Sequence, residues 1–313
     1  MKKIIIDTDP GQDDALALMT AFGAKEQLLV LGVTCVAGNV PLDLTSVNAL
    51  KICELSGAFD VPVFKGSATP LERKLVTAEH VHGKTGLDGT ELQVTKKEIE
   101  HTSAMDFIIE CAEKYRDEKI TICALGPLTN IAKVLTKNPE VTGSIEEIVL
   151  MGGGFFEGGN ITPAAEFNIY VDPEAAKIVL DSGVKITMLP LDVTHKTLVQ
   201  RDFLEKLRKS GKNSANEAAK LLDFFERYDV EKYGSQGGPL HDPNVIVYLL
   251  DPAIYEGKLV NVQIEVNSEL TRGMTVVDWW NVTNRKPNAY YINDVKDDKF
   301  FEVVLNKVLS LEI

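Results

Sequence analysis

Six short runs rich in β-branched and aliphatic residues, at 3–7, 28–36, 61–64, 120–124, 147–151 and 185–190, punctuate the first two-thirds of the chain. Between them lie longer stretches with apolar residues at helical spacing, at 13–22, 43–56, 104–114, 128–136 and 173–181. Strand, helix, strand repeated in this way leaves few solutions. Each crossover helix must pack back on a sheet of parallel strands, so the pattern predicts an α/β fold with an open, mainly parallel sheet and helices on both faces. The C-terminal third is helix-rich. Residues 201–227 are rich in helical pattern, 259–266 and 274–277 read as an antiparallel pair, and 299–309 as a closing helix. No Pro/Gly/Ser linker, repeat or low-complexity tract interrupts the chain, so one domain over 1–313 is expected.

In open, Rossmann-like sheets, ligands bind in the crevice beyond the carboxyl ends of the strands. The residues that follow the predicted strands here are Asp7-Thr8-Asp9, Gly38-Asn39, Leu125-Gly126-Pro127, Met151-Gly152-Gly153-Gly154 and Leu191-Asp192. Carboxylates, an amide and glycine turns therefore fall on one rim, where glycine lets backbone approach a ligand.

The first of these rims is crowded with charge. In "IIIDTDPGQDDALAL", from Ile4, Asp7, Asp9, Asp13 and Asp14 occupy four of eight positions. Like charges ~4 Å apart repel by roughly 4 kcal/mol at an effective dielectric near 20. Helix capping explains one or two of them. For all four together a hard cation is the better answer, since Ca²⁺ and Mg²⁺ take carboxylate and carbonyl oxygens. The spacing is not that of an EF-hand: counting from Asp7, Gly11, Gln12 and Leu18 stand where a ligand, glycine and glutamate are required. There is no Walker A sequence, G-x-S-x-G or H-E-x-x-H, and Glu157 stands where a dinucleotide fingerprint needs its later glycine.

Net charge is −13, from 46 acidic and 33 basic residues, which disfavours nucleic acid and anionic membranes as partners and leaves an uncharged small molecule open. Cys35, Cys53, Cys111 and Cys123 form no C-x-x-C pair and sit in apolar contexts, as buried thiols in a reducing compartment do. After Met1-Lys2-Lys3 only three apolar residues precede Asp7, too few for a signal peptide, and no run approaches the ~20 apolar residues of a membrane span. A cytoplasmic location is expected, and without secretion the sequons at Asn160 and Asn281 carry no meaning.

An apolar strand ending in D-x-D is similar to that of haloacid-dehalogenase-type phosphohydrolases, in which Asp7 would be a nucleophile held with Mg²⁺. Pro10-Gly11 departs from that pattern, and no later G-D-x-x-x-D pair occurs. A fuller match exists. "DTDPGQDDALAL", Gly38-Asn39, "MGGG" at Met151, "NITPAAEFNIYVDPEAA" from Asn160, "PLHDP" at Pro239 and "TRGMTVVD" from Thr271, in this order, resemble the inosine–uridine type ribonucleoside hydrolases.

That resemblance implies Ca²⁺-dependent hydrolysis of the N-glycosidic bond to free base and ribose, with water activated by the metal and Asp9. It implies Asp9, Asp14, Asp242 and the Leu125 carbonyl as metal ligands, the last in a Leu-Gly-Pro turn where Thr-Gly is usual. It implies Asp13, Asn39, Met151, Asn160, Glu166 and Asn168 as ribose-binding residues. His82, on a flap reading "VHGKTGLDG", would face the base, and His241 would be the base-side histidine. A broad inosine–uridine or pyrimidine-leaning specificity and a homo-oligomer, tetramer or dimer, also follow. One departure is that "MGGGFFEGGN" is one residue longer than usual between methionine and asparagine. Asp7 reads as a support for the loop rather than a ligand.

The chemistry is consistent with this set. An N-ribosyl bond breaks through an oxocarbenium-like sugar, with water on one face and the base leaving on the other. Ca²⁺ acidifies water less than Zn²⁺, so a carboxylate base is needed beside it. Other assignments are blander. Asn160 and Asn168 also suit turns and caps, and Asp172-Pro173-Glu174 reads as a helix start. His101 and His195 receive no role, while Trp279-Trp280 and "NDVKDD" read as packing and solvated surface. Gly83, Gly86 and Gly89 space the flap as a mobile lid, and Phe225, Tyr228 and Tyr233 stand near the base pocket, Tyr228 as a base contact.

Overall fold

Strand β1 (Lys2–Thr8) runs through the middle of an eight-stranded sheet in the computed structural model, which describes residues 1–94, 96–235 and 237–311. Its neighbours are β2 (Leu28–Cys35) and β4 (Ile120–Ala124), and the sheet continues through β3 (Val63–Lys65) on one side and β5 (Ile145–Met151) and β6 (Ile186–Leu189) on the other. Later come β7 (Tyr255–Val260), β8 (Val262–Ile264), β9 (Thr275–Val277) and β10 (Ala289–Val295). The sheet order is β3-β2-β1-β4-β5-β6-β10-β7, parallel throughout except for β7 against β10. Strand order reverses between β1 and β4, the switch point at which such sheets open a crevice.

Both faces of the sheet are covered, which is why its strands read as continuous apolar runs. Ile4 and Ile6 point into one core with Cys123 and Val149, and Ile5 into the other with Ile122 and Ile148. Helix Gln12–Phe22 is buried along its whole length, and it packs against helices Leu42–Leu55, Asn213–Tyr233, Pro243–Leu250 and Asp297–Leu309. All four cysteines are buried thiols. No helix among the described residues is long and apolar enough to cross a membrane.

The C-terminal third departs from expectation in two respects. The run at 259–266 is two strands in two sheets: β7 joins the main sheet, whereas β8 pairs with β9 as the expected antiparallel ribbon. They part at Asn261, whose side-chain amide donates to Lys286 O at 2.8 Å. Strand β10 was not expected. Its "ND" belongs to the sheet, and the acidic residues after it open helix Asp297–Leu309. Trp279 packs on the core while Trp280 is exposed.

Candidate active site

The acidic rim forms because β1 ends at Thr8 and the next helix begins at Gln12, so Pro10 and Gly11 must turn the chain within a few residues. Asp14, at the third position of that helix, accepts the Gly11 N–H at 2.9 Å as a cap does and also takes the Thr8 hydroxyl. Asp9 Oδ2 accepts the backbone N–H of Asn39 at 2.7 Å. The Asn39 side chain donates to Asp9 O and to Asp14 Oδ2, both at 3.2 Å, leaving its own oxygen as an acceptor. Asp242, before helix Pro243–Leu250, completes the cluster from the far end of the chain.

Ligand atoms from Asp13, Asp14 and Asp242 lie within 4.8 Å of one another, and all three residues are buried. Asp9 stands outside that set, although its charge acts on Asp242 and those of Asp14 and Asp13 act on it. Burial first, then the neighbouring carboxylates, pushes Asp9 and Asp242 well above the usual carboxylate range, and burial raises Asp14. The fit to a hard cation rests on Asp9. Its Oδ1 is buried with no hydrogen-bond partner among the described residues. A Cβ on Gly38 would stand 2.0 Å from Asp9 Oδ2, and one on Gly126 2.3 Å from Asp9 Oδ1. Both glycines keep that carboxylate open.

Leu125 O, at the carboxyl end of β4, accepts from Asn168 Nδ2 at 2.7 Å, and the same amide reaches Met151 O at 3.2 Å. A carbonyl has two lone pairs, so one remains for a cation. Asp7 behaves differently. It is buried, accepts from Thr34 Oγ1 at 2.5 Å and Asn130 Nδ2 at 2.8 Å, and does not line the cavity. A nucleophile there would have no access to substrate, so the phosphohydrolase alternative finds no support.

Above the cluster opens a cavity of about 520 Å³. Asp13, Asn39, Leu125, Met151, Asn160, Glu166, Asn168 and Asp242 line it, together with His82, Tyr228 and His241. Asp9 and Asp14 lie beneath, outside its lining. The turn reading holds for Asn160, whose Oδ1 accepts the Phe167 N–H at 3.0 Å, but not for Asn168, whose amide spans Leu125 O and Met151 O; the cap of helix Phe167–Val171 is Glu166, through Asn168 N at 2.9 Å and Ile169 N at 3.2 Å. Burial raises Glu166 to about 7 and Asp7 to about 6.

The flap carries Glu79–His82 as one helical turn, with Gly83, Gly86 and Gly89 all at positive φ. It is tied down by residues that sequence reading left without a role. Gln12 Nε2 donates to His82 O at 2.9 Å and Asp88 O at 3.1 Å, and Asn48 Nδ2 to Thr85 O at 2.7 Å. With its nitrogen so used, Gln12 presents Oε1 to His82 Nδ1 at 2.7 Å, so that ring nitrogen is the donor. Burial, reinforced by His80, depresses His82 to about 3. Neutral His82 thus offers only an acceptor at Nε2. Gln12→Ala is expected to cost about 1–3 kcal/mol by leaving buried carbonyls unpaired. Amide exchange across 79–88 should quicken more than that of β1, and equal protection would contradict this tether.

Phe225 stacks on His82 at 5.5 Å and Tyr228 meets His80 edge-on at 5.5 Å; the Tyr233 side chain lies outside the described residues. His80, His195 and Glu157 also line the cavity, which their sequence context did not reveal. The lengthened "GGGFFEGG" segment wraps the buried Asp192, which accepts from Phe155, Phe156 and Glu157 N at 3.0, 2.6 and 2.8 Å.

Residues 4–302 match the family described as inosine-uridine preferring nucleoside hydrolase. An uncharacterized protein of Schizosaccharomyces pombe is 48% identical over 306 residues, 98% of each chain. The pyrimidine-specific ribonucleoside hydrolase RihA of Shewanella sp. strain ANA-3 is 44% identical over 310 residues, 98% of this chain and 96% of that protein. Among solved structures, the purine-preferring ribonucleoside hydrolase from Gardnerella vaginalis superposes with a TM-score of 0.92 at 32% identity, covering 99% of both chains.

Proposed function

The chain belongs to the inosine-uridine preferring nucleoside hydrolase family and is a nucleoside hydrolase acting on ribonucleosides; from that premise we propose a Ca²⁺-dependent enzyme that releases free base and ribose, with Asp9 as its general base. The observation that carries this reading is the Asp9 carboxylate: one oxygen fixed by Asn39 N–H, the other buried, unpartnered among the described residues and kept open by Gly38 and Gly126.

Asp9, Asp14, Asp242 and the second lone pair of Leu125 O would hold the ion, with Asp13 close enough to share it. When bound, Ca²⁺ polarises the attacking water, orients ribose hydroxyls and offsets the carboxylate repulsion. Asp9 Oδ1 takes the proton from that water. Asp13, Asn39, Glu166 and Asn168, with Met151 and Asn160, orient the sugar, and their negative charge and dipoles stabilise the cationic ring that develops.

The aromatic rings that line the cavity, among them His82, Phe225, Tyr228 and His241, suit a flat base. His82, stacked with Phe225, faces the base, and Tyr228 contacts it. His241, its Nδ1 engaged with Thr194 Oγ1 at 2.7 Å, presents Nε2 as the donor to the departing base. Proteins named for both preferences are similar to this chain, a pyrimidine-specific one in sequence and a purine-preferring one in structure. The two classes lean differently on a proton donor, so His241→Ala should lower turnover of inosine more than of uridine. Equal losses would reduce His241 to a positioning role.

Incubation with uridine, inosine and a phosphomonoester tests the reaction. Chromatography should show free base and ribose from the nucleosides and no phosphate. Phosphate without base would overturn the proposal.

A further inference from the structure

Two polar residues that line the cavity carry no role in the reading above, His195 and Glu157. His195 follows the short helix Leu191–Thr194 after β6, and Glu157 lies in the turn after β5. His195 Nδ1 is 3.2 Å from Glu157 Oε2, and the two side chains are 35% and 50% exposed, so the pair faces both cavity and solvent. Buried groups hold it there. Asp192, three residues before His195, accepts the Glu157 N–H and the hydroxyl of the buried Tyr291. The His195 ring stands 5.8 Å, centroid to centroid, from that of His241.

A carboxylate only accepts, so the proton between the pair belongs to His195 Nδ1. Nε2 has no hydrogen bond among the described residues and is left for a ligand in the cavity that His195 lines. In the neutral ring it is an acceptor. His195 lines the cavity beside His241, whose Nδ1 is bonded to Thr194 Oγ1, and near the bridge between Leu198 and Pro239.

We propose that His195, positioned by Glu157, binds the polar edge of the nucleobase through Nε2 and favours bases that present a ring N–H. Uracil and hypoxanthine do so; cytosine and adenine present a bare ring nitrogen at the corresponding place. This assignment rests on the nucleoside hydrolase reading and adds the base selectivity of the same site.

The test compares kcat/KM for uridine, cytidine and 4-nitrophenyl β-D-ribofuranoside, whose leaving group lacks a base edge, in the wild type, His195→Ala, Glu157→Ala and Glu157→Gln. His195→Ala should lose about tenfold on uridine, the worth of one hydrogen bond, and clearly less on the other two substrates. Glu157→Ala should move in the same direction. Glu157→Gln, whose amide oxygen still accepts from Nδ1, should recover part of the loss. Equal losses on all three substrates, or none, would overturn the assignment while leaving the hydrolase reading intact. A wild-type protein that releases no base from any nucleoside would end both. Should His195→Ala fail to fold in a thermal melt, the half-exposed Glu157 variants decide the matter alone.

Discussion

Replacing Asp9 by Asn is expected to lower kcat for uridine by about 10²–10⁴-fold, the range over which a positioned general base contributes. The change is nearly isosteric. The Asn carbonyl still accepts from Asn39 N–H, and the space left by Gly38 and Gly126 still fits. What disappears is one negative charge that Asp14, Asp13 and Asp242 all oppose. Without cation the variant should therefore melt no lower than the wild type, even though it is inactive. Inactivity with a retained melting temperature separates a chemical role from a structural one. Near-normal turnover would remove Asp9 as the base.

Withdrawing the cation should have an effect of comparable size on activity and a distinct signature on stability. A ligand present at 100 times its Kd stabilises the fold by about 2.7 kcal/mol, which for a chain of this size raises Tm by several degrees. The pH dependence gives the sign. Burial raises Asp7 from 3.8 to about 6 and Glu166 from 4.5 to about 7, so the folded, metal-free chain binds protons more tightly than the unfolded one. Stability from these groups is complete below about pH 4 and is lost as pH rises to about 7, on the order of 3 kcal/mol for each group. Asp9, Asp14 and Asp242 act in the same direction. A cation favours the ionised carboxylates and reverses this trend. Thermal melts should show a Ca²⁺-induced rise in Tm that is larger at pH 8 than at pH 5. A rise independent of pH would place the ion away from the carboxylates.

Local signals made much of this legible. Helices Ala104–Lys114 and Pro173–Asp181 begin where Ser103 and Asp172 cap them and end as their apolar periodicity does, and strand Ile120–Ala124 is a short apolar run. The rim residues could be read because each follows a strand, and parallel strands bring their carboxyl ends together. Strand β10 was hidden because "INDV" lacks the apolar continuity of the other parallel strands, its edge partner β7 leaving it less covered. Gln12 was hidden for another reason. It stands inside the acidic motif, but its role depends on a flap seventy residues away. Likewise His195 acquires a partner only because Asp192 draws the turn of Glu157 towards it. Pairings of this kind are set by tertiary packing, which spacing along a chain does not encode.

The most direct test of the central proposal is ribose release from uridine by chelator-stripped protein as Ca²⁺ is added back. Reducing sugar should be absent at first and appear in saturable proportion to added Ca²⁺, with the Asp9→Asn protein silent throughout. Sugar release that is undiminished by the chelator would contradict the assignment of the acidic cluster as the metal centre of this hydrolase.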